Sequence, residues 1–207
     1  MNLIEFKAKL NDLNGDDELI DFYRKYILHG TPYIFIEKEH DFYDFRKRIA
    51  QKFDISFYEI YVTGSAKLGF SHHKDTIFSP ESDIDIAIIS EKLFNDIMEK
   101  IRIFQMELRQ SKRAISEKER LMYHTFLEYT AIGWIRPDKL PISFQVRELK
   151  DDWFNFFDSL SYGKSEVGNY KVTAGIFRSY KHLEFYQINN LKRIKSTLTL
   201  KKYELTN

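Results

Sequence analysis

Two short stretches decide how this chain is read: Val62-Thr-Gly-Ser-Ala-Lys-Leu-Gly69 and Pro80-Glu-Ser-Asp-Ile-Asp-Ile-Ala-Ile-Ile89. In the second, Ile84, Ile86 and Ile88 alternate with Asp83, Asp85 and Ala87, so residues 83–89 predict a strand with one apolar face and one face carrying acids. In the first, β-branched and aromatic residues over 59–63 predict a short strand that bends at Gly64-Ser65 into a helix-like stretch through Leu68. Residues two apart on a strand project together with Cα atoms roughly 6–7 Å apart. Asp83 and Asp85 therefore point the same way, and a divalent ion can sit between them. Magnesium is a hard ion that takes one or two carboxylates, waters and phosphate oxygens. Gly64 lets the backbone come close to a ligand. The Ser65 hydroxyl and the amides of residues 66–68 then make an anion site suited to terminal phosphates, to which Lys67 can add charge. The glycine spacing from Gly64 to Gly69 fits neither the Walker loop nor the dinucleotide fingerprint.

Helices surround these stretches. Apolar spacing predicts them over 17–28, 41–53 (Phe42, Phe45, Ile49 and Phe53 in one stripe), 91–110 and 116–129, the last opened by a Ser116/Glu119 capping box. Residues 134–141 read as a turn, 142–146 as a further strand, and 150–160 and 167–197 as helices. With 8 Gly and 4 Pro, punctuation is sparse, and no linker or repeat is visible. The expected fold class is α/β (α+β): a mixed sheet flanked by helices. A core over 1–150 would carry a C-terminal helical part over 151–207, packed as one compact unit.

Composition narrows the chemistry. The 207 residues carry 32 Lys and Arg against 31 Asp and Glu, a formal charge of +1, so any nucleic-acid contact must be a local patch. No cysteine is present, which removes disulfides and thiol chemistry together. No apolar run is long enough to span a bilayer, and the first ten residues have no signal-peptide core, so no membrane partner and a cytoplasmic address are expected. Aromatics are abundant at 16%, and most of them are expected to pack in the core.

Gly64-Ser65 followed by Ser82-Asp83-Ile84-Asp85 resembles the signature of the polymerase-β-like nucleotidyltransferase superfamily. The strong part of the resemblance covers about 30 residues, 61–89. It implies that Gly64 and Ser65 hold the β and γ phosphates of an NTP and that Asp83 and Asp85 bind two Mg²⁺. An NMP would then pass to a hydroxyl, with release of pyrophosphate. It also implies a third carboxylate on a later strand. The strand expected at 142–146 would show Ser143 and Gln145 to the site, so Glu148 just beyond it is the candidate, with Glu128 second. Lys181, on the helix after the last strand, is a candidate triphosphate contact, as is Arg178, with Tyr180 under the base.

Small chains with this resemblance occur in toxin–antitoxin and phage-defence modules. That implies a macromolecular acceptor, a tRNA end or a partner protein. Two other readings stay open: a synthase of oligonucleotide or cyclic-nucleotide signals, and a degenerate nucleotide-binding subunit or sensor. His72-His73 reads as a loop pair that is solvated or touches substrate rather than as a zinc site. The basic run 192–202 reads as a helix end suited to its dipole or as an RNA contact.

Overall fold

The computed structural model describes the backbone of residues 1–140 and 144–206 and the side chains of 1–140 and 147–200. In chain order, α1 (Leu3–Asp12), α2 (Asp16–Phe22) and α3 (Glu39–Phe53) precede β1 (Ile60–Thr63) and α4 (Gly64–Leu68). A small hairpin of β2 (Phe70–Ser71) and β3 (Thr76–Ile77) leads to β4 (Asp83–Ile89). Then come α5 (Glu91–Arg109), α6 (Glu117–Ala131), β5 (Trp134–Ile135), α7 (Phe144–Asp158), β6 (Lys171–Phe177) and α8 (Tyr180–Thr206). The architecture is the expected mixture of sheet and flanking helices.

Four strands form one mixed sheet in the order β1-β4-β6-β5. β1 runs antiparallel to β4 with Thr63 opposite Asp85, and β6 runs parallel to β4 with Lys171 opposite Asp83 and Thr173 opposite Asp85. The pleat then sorts every side chain. Ile60, Val62, Ile84, Ile86, Ile88, Val172 and Ile176 are all buried on one face. They pack against Phe45 and Ile49 of α3, Phe94, Ile97, Ile101 and Phe104 of α5, and Trp153 and Phe157 of α7. Burying each such side chain stabilises the fold by about 1.5–3 kcal/mol. The opposite face holds Thr63, Asp83, Asp85, Lys171 and Thr173 at one end and Ala87, Ile89 and Phe177 at the other. α8 covers the apolar end through Leu183, which is fully buried, and Tyr186. Farther along, its Leu191 closes a second core with Phe6, Leu10, Phe22 and Phe70.

The alternating strand at 83–89 and the helices at 41–53, 91–110 and 116–129 match the sequence reading within two residues. The capping box is formed, with the Ser116 amide donating to Glu119 Oε2 at 2.9 Å and the Glu119 amide to Ser116 Oγ at 3.3 Å.

Three expectations are corrected. The helix placed over 167–197 starts only at Tyr180, because residues 171–177 are β6. Val172 and Ile176 stand four apart, a spacing shared by a helix face and a strand face. Gly168 and Gly175 were the signals against a helix. Second, residues 144–146 of the strand placed at 142–146 open α7, while 142 and 143 lie outside the described residues. The Leu149, Trp153 and Phe157 spacing continues as a helix face and wins over the short alternation ahead of it. Third, the turn over 134–141 begins with β5, where Trp134 pairs with Phe177 and Ile135 with Ile176. Gly175 permits that pairing, since a Cβ there would lie 2.4 Å from Trp134 Nε1. The boundary drawn at residue 150 falls inside α7, and the chain beyond it supplies β6 to the sheet.

Candidate active site

The polar end of the sheet opens into a cavity of about 750 Å³. Thr63, Gly64, Asp83, Asp85, Lys171 and Thr173 form its sheet-side wall, Tyr186, Gln187 and Asn190 reach it from α8, and His72 and His73 from the β2–β3 hairpin. Its position follows from the packing. α8 needs apolar surface to lie against, and on this face of the sheet it finds that over Ala87, Ile89 and Phe177.

Asp83 and Asp85 share this face and are both exposed to the cavity. A turn delivers β4 to the site, with the Ser82 amide donating to Ser79 O at 2.9 Å and the Ser79 amide to Ser82 Oγ at 3.0 Å around Pro80. Thr173 Oγ1 donates to Asp85 Oδ1 at 2.8 Å, and Thr63 Oγ1 donates to the Asp85 carbonyl at 3.2 Å. Asp85 is reached by water through the cavity mouth, while protein crowds its other sides. That partial desolvation pushes its pKa above the ordinary carboxylate value. The Thr173 hydrogen bond opposes the rise, Asp83 adds to it, and Lys74 of the hairpin opposes it.

The Gly64 turn touches the acids directly. Gly64 has φ +63°, and a Cβ there would lie 2.9 Å from Asp85 Oδ2. Only glycine accommodates both the left-handed backbone and the neighbouring carboxylate. Ser65, half-buried, follows in the first turn of α4, which has no side-chain cap at Thr63. First-turn amides of a helix have no intrahelical partner.

The remaining candidates are placed elsewhere. Lys67 does not face phosphate: it is buried, and its ammonium donates to the carbonyls of His29 at 2.7 Å and Gly30 at 2.5 Å. Burial pushes its pKa down to about 8. It ties the chain after α2 to α4 and thus holds the turn. Glu148 is an exposed residue near the start of α7 and is not on the cavity wall, which α7 meets farther along at Trp153, Phe154, Phe157 and Asp158. Glu128 is exposed on α6 beside His124, 3.4 Å away. Lys181 is exposed near the start of α8, just past Phe177, which pairs with Ile89. That end of β4 is six residues from Asp83, roughly 20 Å along the strand. Tyr180 packs toward Tyr61, and Arg178 lies 3.3 Å from Glu91. Lys192 is paired with Asp16 at 2.7 Å and Lys195 bonds the Leu13 carbonyl, so both anchor α8 to the N-terminal helices. His72 is buried rather than solvated, against Phe6 at 5.4 Å, and burial lowers its pKa to about 4.

The sequence reading missed Lys171 and Thr173, which β6 places beside the acids, and Gln187 and Asn190, which α8 brings to the cavity. The alternation of Val172, Ala174 and Ile176 after Gly168 was the signal that could have found the first pair.

Asp83 and Asp85 offer oxygen donors on one face, water can reach them, and Gly64 leaves the space beside them free of a side chain. This donor set suits one hard divalent ion that completes its shell with water and phosphate. Among the described residues, no group of three or more His, Asp or Glu side chains stands ready to hold a metal. Compared with known proteins, the chain matches no family model, no curated protein and no solved structure. Among the described residues, no helix is long and apolar enough to cross a membrane.

Proposed function

We propose that this chain is a divalent-metal-dependent nucleotidyltransferase that moves an NMP from an NTP to a hydroxyl of a macromolecular acceptor, a tRNA end or a partner protein. One observation carries the reading. Two co-facing aspartates on β4 meet, across the antiparallel pairing of Thr63 with Asp85, a glycine turn that has no room for a Cβ. Such a turn lets triphosphate oxygens approach backbone amides within reach of the same carboxylates.

A magnesium ion held by Asp83 and Asp85 would neutralise phosphate charge as it builds up in the transition state. The chain's own residues do the rest. Gly64 and Ser65 hold the terminal phosphates, and Thr173 fixes the rotamer of Asp85 through its hydrogen bond. Asn190 and Gln187 offer amide groups to the nucleoside. The acceptor oxygen bonds to the α-phosphorus as the bond from that phosphorus to the bridging oxygen breaks, and pyrophosphate leaves. The hydroxyl proton passes to solvent.

Thr173 and Lys171, which occupy the strand beside β4 in place of an acid, favour one second reading: a subunit that binds nucleotide without turnover. Toxin–antitoxin and phage-defence settings are the contexts to examine first for an acceptor. The test incubates the protein with each α-labelled NTP, Mg²⁺ or Mn²⁺ and a lysate, and then resolves RNA, protein and small molecules. Labelled tRNA or protein that disappears in the Asp83→Ala, Asp85→Ala double variant supports transfer. Small soluble products made from NTP alone would indicate signal synthesis instead. A nucleotide-dependent melting shift without any labelling would indicate the binding subunit. Labelling that survives the double change removes the assigned site.

A further inference from the structure

We infer that the site takes a single divalent cation with its nucleotide, and that the Lys171 ammonium supplies the positive charge that a second cation would bring. The inference rests on the reading under Proposed function and departs from the two ions that the sequence resemblance implies. Two ions about 3.5–4 Å apart need carboxylate oxygens placed to hold both. β4 supplies two acids, so a further one has to come from a neighbouring strand. On one side β1 shows Tyr61 and Thr63 to this face; on the other, β6 shows Lys171, Thr173 and Gly175. None of these is anionic.

The β6 residues also act against a second ion. The Thr173 hydroxyl already occupies Asp85 Oδ1 at 2.8 Å. Lys171 stands on the rung of Asp83, exposed and at the wall of the same cavity. An ammonium brought over that rung repels a second divalent ion and attracts phosphate oxygens. Two other acids line the cavity: Asp138 is held by Arg136 at 2.9 Å, and Asp158, at the end of α7, is not on a strand beside β4. A lysine that grips phosphate does so with or without metal, which separates its effect from that of the acids.

Two measurements test this on the full chain with a non-hydrolysable α,β-methylene NTP. The first counts bound Mn²⁺ by electron paramagnetic resonance at saturating nucleotide, with the Asp83→Ala, Asp85→Ala variant subtracted as background. One ion per bound nucleotide is expected. Two ions overturn this inference and leave the proposed activity standing. No ion above background removes that activity and the inference together. The second measures nucleotide affinity in EDTA. Lys171→Ala is expected to weaken binding about tenfold without metal, the loss of one charge-assisted contact, while Lys171→Arg stays within about threefold. Equal affinities of Lys171→Ala and the parent in EDTA overturn the assignment of the ammonium.

Discussion

β4 and β6 lie side by side, parallel and in register, yet they bring opposite chemistry to the same rungs of the sheet. Asp83 faces Lys171 and Asp85 faces Thr173, while one step away Ile84 and Val172 share the same core. The buried faces are interchangeable because both strands answer to one packing demand. The cavity faces are free of that demand, so their residues differ, and the difference sets what the site can hold. An acid-only pair of strands would be a multi-ion clamp. Acids beside a hydroxyl and an ammonium make a site with less negative charge, in which Asp85 already has a hydrogen-bond partner before any ligand arrives.

The strongest way to break this comparison is to neutralise the β4 side. Asp83→Ala with Asp85→Ala should lower labelling by about 10³-fold or more, since electrostatic clamping of phosphate is assigned to these two groups. The next effect lies at the turn. Gly64→Ala places a methyl group on a left-handed backbone 2.9 Å from Asp85 Oδ2. We expect about 10–100-fold lower activity from displaced carboxylate geometry. Stability should fall by about 1–2 kcal/mol in urea unfolding.

Thr173→Val sharpens the β6 side of the contrast. Its hydroxyl now favours the charged form of Asp85, so its loss should raise the Asp85 pKa further. The acid limb of nucleotide-dependent Mn²⁺ binding should then move to higher pH, a shift that a purely structural role would not produce. Asp85 itself gives a smaller, opposite test. A carboxyl whose pKa is raised in the fold contributes stability in acid that is lost as pH rises through its folded-state value. Its ionised form is thus an unrelieved desolvation at neutral pH without metal. Asp85→Asn should raise the metal-free melting temperature by about 1–2 °C at neutral pH, and the gain should vanish in acid. Least affected should be Glu148→Gln and Lys181→Ala, which lie away from the cavity. Labelling rates within about twofold of the parent are expected, in line with surface substitutions generally.

The legibility of the fold follows the same contrast. Residues 83–89 announce themselves because acids and isoleucines alternate, and no helical phase places Ile84, Ile86 and Ile88 together. Residues 171–177 do not. Their core positions are Val172, Ala174 and Ile176, and the small alanine leaves a four-residue spacing that merges with the helical spacing of α8. Similarly, Lys67 beside a phosphate-binding turn has the right charge, and only its burial under the carbonyls of His29 and Gly30 shows that it is engaged elsewhere. Glu148 was assigned by its distance along the chain from a strand that residues 144–146 do not form. The helix found there reaches the cavity at Phe154 and Asp158, farther along than Glu148.

By itself the sequence determined the strand at 83–89, the common facing of Asp83 and Asp85, the bend at Gly64 and most of the flanking helices. Each of these depends on local periodicity or backbone freedom, which neighbouring residues encode. Only the tertiary structure decided which strand lies beside β4, and therefore that Lys171 and Thr173, 88 residues away along the chain, complete the site. Strand order is chosen by how whole faces pack against α3, α5, α7 and α8, a long-range balance that no short stretch of residues carries.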